Sequence, residues 1–226
     1  MIFWLLHSGR CGAAFNMALD EALLENISAI GQPLLRFYGW TEPAATFGYF
    51  QKFSEIERAT PLRPLVRRPT GGGLVPHDAD WTYSFIAPPQ HEWYSLKAQE
   101  SYRRMHEWIR AAFAGLNIET QLAPFKKTGI PGACFAGHEK FDVLWRGRKI
   151  AGAAQRRNRL GLLIQGSVQP PPLPCSRSDW EKAMQETAQE NFQIAWRQFV
   201  LDEPIRSRAE KLSQQKYAWD HYNRKR

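Results

Sequence analysis

The chain is poor in cysteine. Cys11, Cys134 and Cys175 are odd in number and widely spaced, so no disulfide framework is implied and a reducing, cytoplasmic setting is expected. No stretch approaches the ~20 apolar residues that a membrane helix needs. The short apolar start "MIFWLLHSGR" lacks a basic leader and a small-residue cleavage site, and it reads as a strand of the fold. The phosphate-loop pattern G-x-x-x-x-G-K-[ST] and a helix-opening G-x-G-x-x-G are missing, which weakens any nucleotide reading. Zinc-finger spacing, an RNA-recognition signature and a helix-turn-helix pattern are also missing. Nucleic acid is therefore not expected as a partner, despite a net charge of +8. No cofactor and no metal site is implied. Internal repeats, low-complexity segments and long linkers are lacking too, so residues 1–226 read as one domain, with a helical tail from about 175.

What the chain has is apolar mass: 43% hydrophobic residues, with nine Trp and thirteen Phe, enough for a substantial core at this length. Its positive charge is dispersed rather than blocked, which suits a basic face for an acidic protein partner. Apolar residues Phe15, Leu19, Ala22, Leu23 and Ile27 recur at helical spacing and predict a helix over 14–29 with one buried face. "PLLRFYGW", "AATFGYF", "PLVRRP" and "WTYSFIA" read as strands, and 95–114 as a helix that Gly115 can end. Strands are expected at 140–145, 148–154 and 160–168, then a stiff connector "QPPPLP". Ser178 and Glu181 stand at capping-box spacing for the helix that follows. Asp20 and Glu21 look like a charged helix edge without chemistry. The fold class expected is α+β.

The stretch "RRPTGGGLVPHD" (67–78) concentrates unusual residue types. Three adjacent glycines suit a turn where the main chain passes close to another group. A plain β-turn is one reading. The other is bare backbone against a phosphate or an acyl chain, supported by Arg67, Arg68, His77 and Asp78 nearby. The arginines could face a partner or cap the sheet, and Asp78 could hold His77. Cys134, in "PGACFAGHEKFDVLWRGRKIAG", is either a buried small hydrophobe or a nucleophile activated by a cation. If 140–145 and 148–154 form a hairpin, Lys149 returns toward the same place. Otherwise it is a solvated hairpin charge. His138 offers a Cys–His alternative.

Taken in order, "SGRCGAAFNMALDEALL", "LLRFYGWTEPAATFGYFQK", "RRPTGGGLVPHD" and "RGRKIAGAAQRR" resemble the lipoate/biotin protein ligase superfamily over most of the chain. They are most similar to its cysteine-dependent octanoyltransferase branch. The resemblance implies the catalytic-domain fold of that superfamily, with mixed and antiparallel sheets and packed helices. It implies an octanoyl-[acyl carrier protein]:protein N-octanoyltransferase, with Cys134 and Lys149 as catalytic residues. Arg68, Gly71, Gly72, Gly73, His77 and Gly152 would line the acyl slot. The donor would be octanoyl-acyl carrier protein, and the acceptor a lipoyl-domain protein such as the glycine cleavage H protein. An ATP-dependent lipoate–protein ligase, or its catalytic half, and a lipoyl amidotransferase are the rivals. The chain departs from the branch at the third glycine, where arginine is common, and at "CFAGHEKF", where the branch has a "CFDAP"-like sequence.

Overall fold

The computed structural model describes residues 1–128 and 137–226. Strand β1 (Ile2–Cys11) passes through Gly12 into helix α1 (Ala13–Ile30). That helix ends at Gly31, whose φ of 75° is open to glycine at no steric cost. β2 (Leu34–Trp40) then runs parallel to β1, with α1 as the crossover. β3 (Ala44–Phe47), α2 (Phe53–Ala59), β4 (Leu65–Arg67) and β5 (Val75–His77) follow. Next come β6 (Trp81–Ala87), the short α3 (Glu92–Ser95), α4 (Ala98–Gly115) and β7 (Gln121–Leu122). After the segment 129–136 the chain forms β8 (Val143–Trp145), β9 (Arg148–Asn158), β10 (Gly161–Val168) and α5 (Arg177–Phe192). It closes with β11 (Ala195–Gln198), α6 (Glu203–Leu212), a π turn at Ser213–Tyr217 and α7 (Asp220–Asn223).

Among the described residues, eight strands form one mixed sheet in the order β11-β1-β2-β6-β10-β9-β8-β7, and β4-β3-β5 form a second. The fold is α+β, as expected. β2 and β3 are consecutive in the chain yet lie in different sheets. Helix α1 covers one face of the large sheet, with Leu19 and Leu23 packed among Leu34, Ile86 and Leu163. Helices α4 and α5 cover the other, where Met105, Trp108 and Trp180 meet Phe37, Phe85 and Ile164. With both faces covered, β6 is buried at every position.

Several expectations need correction. α1 is buried on more than one face, because Ile205, Ala209 and Leu212 of α6 pack on it from outside the sheet. The capping box of α5 uses Ser176 and Asp179, not Ser178 and Glu181. The Ser176 hydroxyl accepts from the Asp179 N–H while the Asp179 carboxylate accepts from the Ser176 N–H. The segment after 175 is not wholly helical either: β11 pairs parallel with β1 and extends the sheet edge.

Candidate active site

The hairpin of β8 and β9 turns on Arg146 and Gly147, both at positive φ (49° and 76°), between the paired Trp145 and Arg148. Two central residues at positive φ match the twist of the flanking strands. The ladder then slips: Leu144 pairs with Lys149 but Val143 pairs with Ala151, leaving Ile150 as an extra residue on β9. Side chains three apart on a regular strand face opposite sides. One inserted residue brings Lys149 round to the side of Gly152. There its Nζ lies 2.7 Å from Oδ2 of Asp142, a carboxylate with no exposed surface. Asp142 also accepts from the Glu139 N–H at 2.7 Å and from the Tyr102 hydroxyl. Burial, then the neighbouring Asp142 charge, push the Tyr102 phenol well above its ordinary range. A Cβ at Gly152 would stand 2.7 Å from both Cε and Nζ of Lys149, so glycine leaves the room that the lysine occupies.

Lys149 and Gly152 line a cleft of about 800 Å³ whose walls include Arg68, Gly72, Gly73 and His77. Of the six acyl-slot residues expected, Gly71 is the one that does not line it. Gly71 turns its carbonyl to Arg68, whose Nη2 donates to Gly71 O and Gly73 O at 2.7 Å each. Arg68 thus holds the glycine loop from within, as an internal brace rather than a surface for a partner. Gly72 alone of the three has a positive φ (85°), and a Cβ there would meet Arg68 Nη2 at 2.7 Å. Arg67 is also buried and faces no partner. Its Nη1 donates to Tyr49 O and Gln51 O, and its Nη2 to Asn223 O.

His77 is buried and stacked on Trp40, with ring centroids 3.8 Å apart. Its carboxylate partner is Asp80, not the exposed Asp78: Nδ1 and Asp80 Oδ2 are 2.8 Å apart. An ionised Asp80 can only accept, so the proton sits on Nδ1. Nε2 meets the Thr46 hydroxyl at 2.8 Å. Asp80 Oδ2 also receives the Ser167 and Thr82 hydroxyls.

The inner wall of the cleft, at Met17, Tyr38 and Gln165, rests on an ion pair absent from the sequence reading. Asp20 is no charged edge. It is fully buried, 2.6 Å from Arg36 Nη1, and accepts from Ser84, Gln165 and Tyr38. Arg36 in turn donates to Ser8 Oγ and to both oxygens of Asn16. Burial, reinforced by the Asp20 charge, raises the Tyr38 phenol far above its usual range.

Cys134 lies outside the described residues. The described residues on either side, Thr128 and Gly137, both line the cleft, as does His138. The two ends are tied by a β-bridge in which Lys127 and His138 exchange N–H···O bonds of 2.8 and 2.9 Å. Cys11 and Cys175 are half-buried and off the cleft. Burial and the nearby Asp179 raise the Cys175 thiol, which opposes thiolate formation.

The family model of the lipoyl protein ligase A/B catalytic domain matches residues 12–169, a span that contains the cleft-lining residues from Met17 to Ser167. The chain belongs to that family. Among its relatives, octanoyltransferase LipM of Carboxydothermus hydrogenoformans is 40% identical over 170 residues, covering 72% of this chain and 62% of that protein. Octanoyltransferase LipM of Anoxybacillus flavithermus is 37% identical over 180 residues, covering 74% and 65%. The chain thus spans under two thirds of the length of these curated relatives. Protein Ta0514 of T. acidophilum, solved with bound lipoic acid, superposes with a TM-score of 0.83 over 100% of both chains at 21% identity, a likeness of fold. No helix among the described residues is long and apolar enough to cross a membrane, and none of them form a cluster suited to a metal ion.

Sequence reasoning missed Asp142, Tyr102, Asp80 and the Asp20–Arg36 pair. A signal existed for Asp142: it is a lone carboxylate opening the apolar run "DVLW", and a hairpin sets it opposite the lysine-bearing strand. Tyr102 comes from a distant helix and left no such trace.

Proposed function

We propose that this protein is a cytoplasmic octanoyl-[acyl carrier protein]:protein N-octanoyltransferase of lipoate biosynthesis. The Cys134 thiolate attacks the carbonyl carbon of an octanoyl thioester. The carbon–sulfur bond to the carrier breaks, and the carrier leaves as a thiolate that takes up the proton Cys134 gave up on ionising. The ε-amine of a lipoyl-domain lysine, such as that of the glycine cleavage H protein, then attacks the octanoyl-Cys134 thioester. A carbon–nitrogen bond forms, the amine gives up a proton and the Cys134 sulfur is released. Thioester exchange is nearly isoenergetic and amide formation from a thioester is downhill, so no nucleotide is consumed.

The observation that carries this reading is the Lys149 ammonium, oriented by buried Asp142 on a cleft flanked by both ends of the Cys134 segment. A fixed cation favours the thiolate and the carbonyl oxygen's developing charge. Gly73, where a Cβ would meet nothing within 4 Å, presents open backbone to the cleft, which suits a straight acyl chain. Asp142 keeps Lys149 in one position through both half-reactions, and Tyr102 keeps Asp142 there.

Intact-mass analysis tests the reading: the protein is incubated with octanoyl-acyl carrier protein and no nucleotide. One added octanoyl group is expected, lost on Cys134→Ser and discharged by a lipoyl domain. Octanoylation or lipoylation that requires ATP and the free acid, and survives Cys134→Ser, would replace this reading with the ligase.

A further inference from the structure

The most exposed phenylalanine among the described residues lies among cationic side chains. Phe50 is 71% exposed on the loop between β3 and α2. The guanidinium of Arg226 stands 5.3 Å from its ring centroid, and Lys225 Nζ stands 4.0 Å over the adjacent Tyr49 and 4.2 Å over Tyr222. Cation–π contacts of this kind hold flexible side chains in place at little cost, since water still reaches the charge. The neighbouring Arg224 is tied to Glu57 at 3.3 Å and to Asp220 at 3.6 Å. No carboxylate of the described residues pairs with Lys225 or Arg226. Arg156 of β9 adds a third cation, and it touches a carboxylate, Glu21, only at 4.0 Å. Glu21 is already bonded to Lys216 and Tyr217. A hydrogen bond from Lys225, with the charges of Lys225, Arg226 and Arg156, lowers the Tyr49 phenol from its ordinary value, as a local positive field should.

The patch is rigidly attached to the cleft. Arg226 O accepts from the Phe53 N–H at 2.9 Å, and Asn223 Oδ1 accepts from the Arg67 N–H at 2.8 Å. Gln51, next to Phe50, lines the cleft and caps Gly48 N–H, and Tyr49 N–H bonds Thr70 O at the start of the glycine loop. Arg156 lies seven residues along β9 from Lys149, about 20 Å of extended chain.

We propose that Phe50, Lys225, Arg226 and Arg156 form the docking surface for the acidic carrier protein that delivers the acyl thioester. The charge complements an acidic surface, and Phe50 supplies an apolar contact at its centre. The distance selects the donor over the acceptor. A lysine side chain has four methylenes and must enter at the cleft itself, whereas the phosphopantetheine arm of a carrier protein is several times longer and can bridge from patch to Lys149. This proposal rests on the transferase reading given above, so its test separates the two.

The test uses Lys225→Glu/Arg226→Glu, which alters no cleft-lining side chain. Three quantities are measured in parent and variant: binding of acyl carrier protein by titration, acylation of the enzyme by octanoyl-carrier protein, and acylation by the small thioester octanoyl-N-acetylcysteamine. Carrier binding and half-saturation are expected to weaken at least about tenfold, and the salt dependence of both to flatten. Acylation by the small thioester, and discharge of preloaded enzyme to a lipoyl domain, should be unchanged. Equal carrier binding in parent and variant would overturn the patch, as would a defect confined to the lipoyl-domain step. Failure of the parent to be acylated by either thioester would instead overturn the transferase reading, while carrier titration still decides the patch.

Discussion

Gly152→Ala is the sharpest perturbation the site offers. The added methyl would stand 2.7 Å from Cε and Nζ of Lys149 and 3.1 Å from Asp142 Oδ1. Ordinary carbon contacts lie near ~3.5–4.0 Å, so the lysine tip must retreat by about 1 Å. The Nζ–Oδ2 distance is 2.7 Å, and such a retreat takes Nζ beyond hydrogen-bond reach of the carboxylate. The fold should lose little. The displaced atoms end a flexible side chain, Asp142 keeps its bonds from Tyr102 and Glu139, and alanine costs less strand entropy than glycine. A net destabilisation of about 1–2 kcal/mol is expected. Catalysis should lose far more, because a misplacement of about 1 Å at a reacting group costs on the order of 100-fold. Gly71→Ala is the control: its Cβ meets nothing within 4 Å and the residue is off the cleft. The assay is single-turnover acylation followed by intact mass, beside thermal unfolding of each variant. Parent-like acylation in Gly152→Ala would refute the role given to Lys149 and its pocket.

Asp20→Ala strands Arg36 in the interior, and a loss of about 3–5 kcal/mol in denaturant unfolding is expected; a loss below about 1 kcal/mol would show that the pair is not structural. The His106 imidazole is pulled down to about 4 from 6.5, chiefly by burial. The unfolded chain binds the proton at higher pH than the native one, so stability falls as pH is lowered from 6.5 to 4 and levels off below. The contribution is about 3 kcal/mol, and His106→Leu should remove it from the pH dependence of unfolding. An unchanged slope in the variant would disprove the assignment. Leucine orphans nothing, since Nδ1 only shares the Tyr102 carbonyl with the helix.

Much of the fold is legible because its signals are local. The apolar spacing of α1, the aromatic strands and the strand segments that became β8–β10 depend on near neighbours in the chain. Much of what failed involved distant ones. The alternation of β6 conceals that both its faces are buried, since α1 covers one side and α4 and α5 the other. The reach of β11 back to β1 joins residue 195 to residue 2, which no local pattern encodes. Even a near neighbour misled: Asp78 stands beside His77 in the chain, yet it is exposed and Asp80 is the residue that meets the ring's Nδ1.

By itself the sequence determined the residue types the site needs: a glycine loop behind an arginine, a histidine, and a lysine on a hairpin with glycine three places on. Motif order also carries the family, because each block must supply one wall of the same cleft. The tertiary structure alone decided the orientation of those residues. One inserted residue at Ile150 turns Lys149 toward Gly152 and Asp142. A bulge is set by the register of two paired strands, and register depends on contacts made across the sheet rather than along the chain.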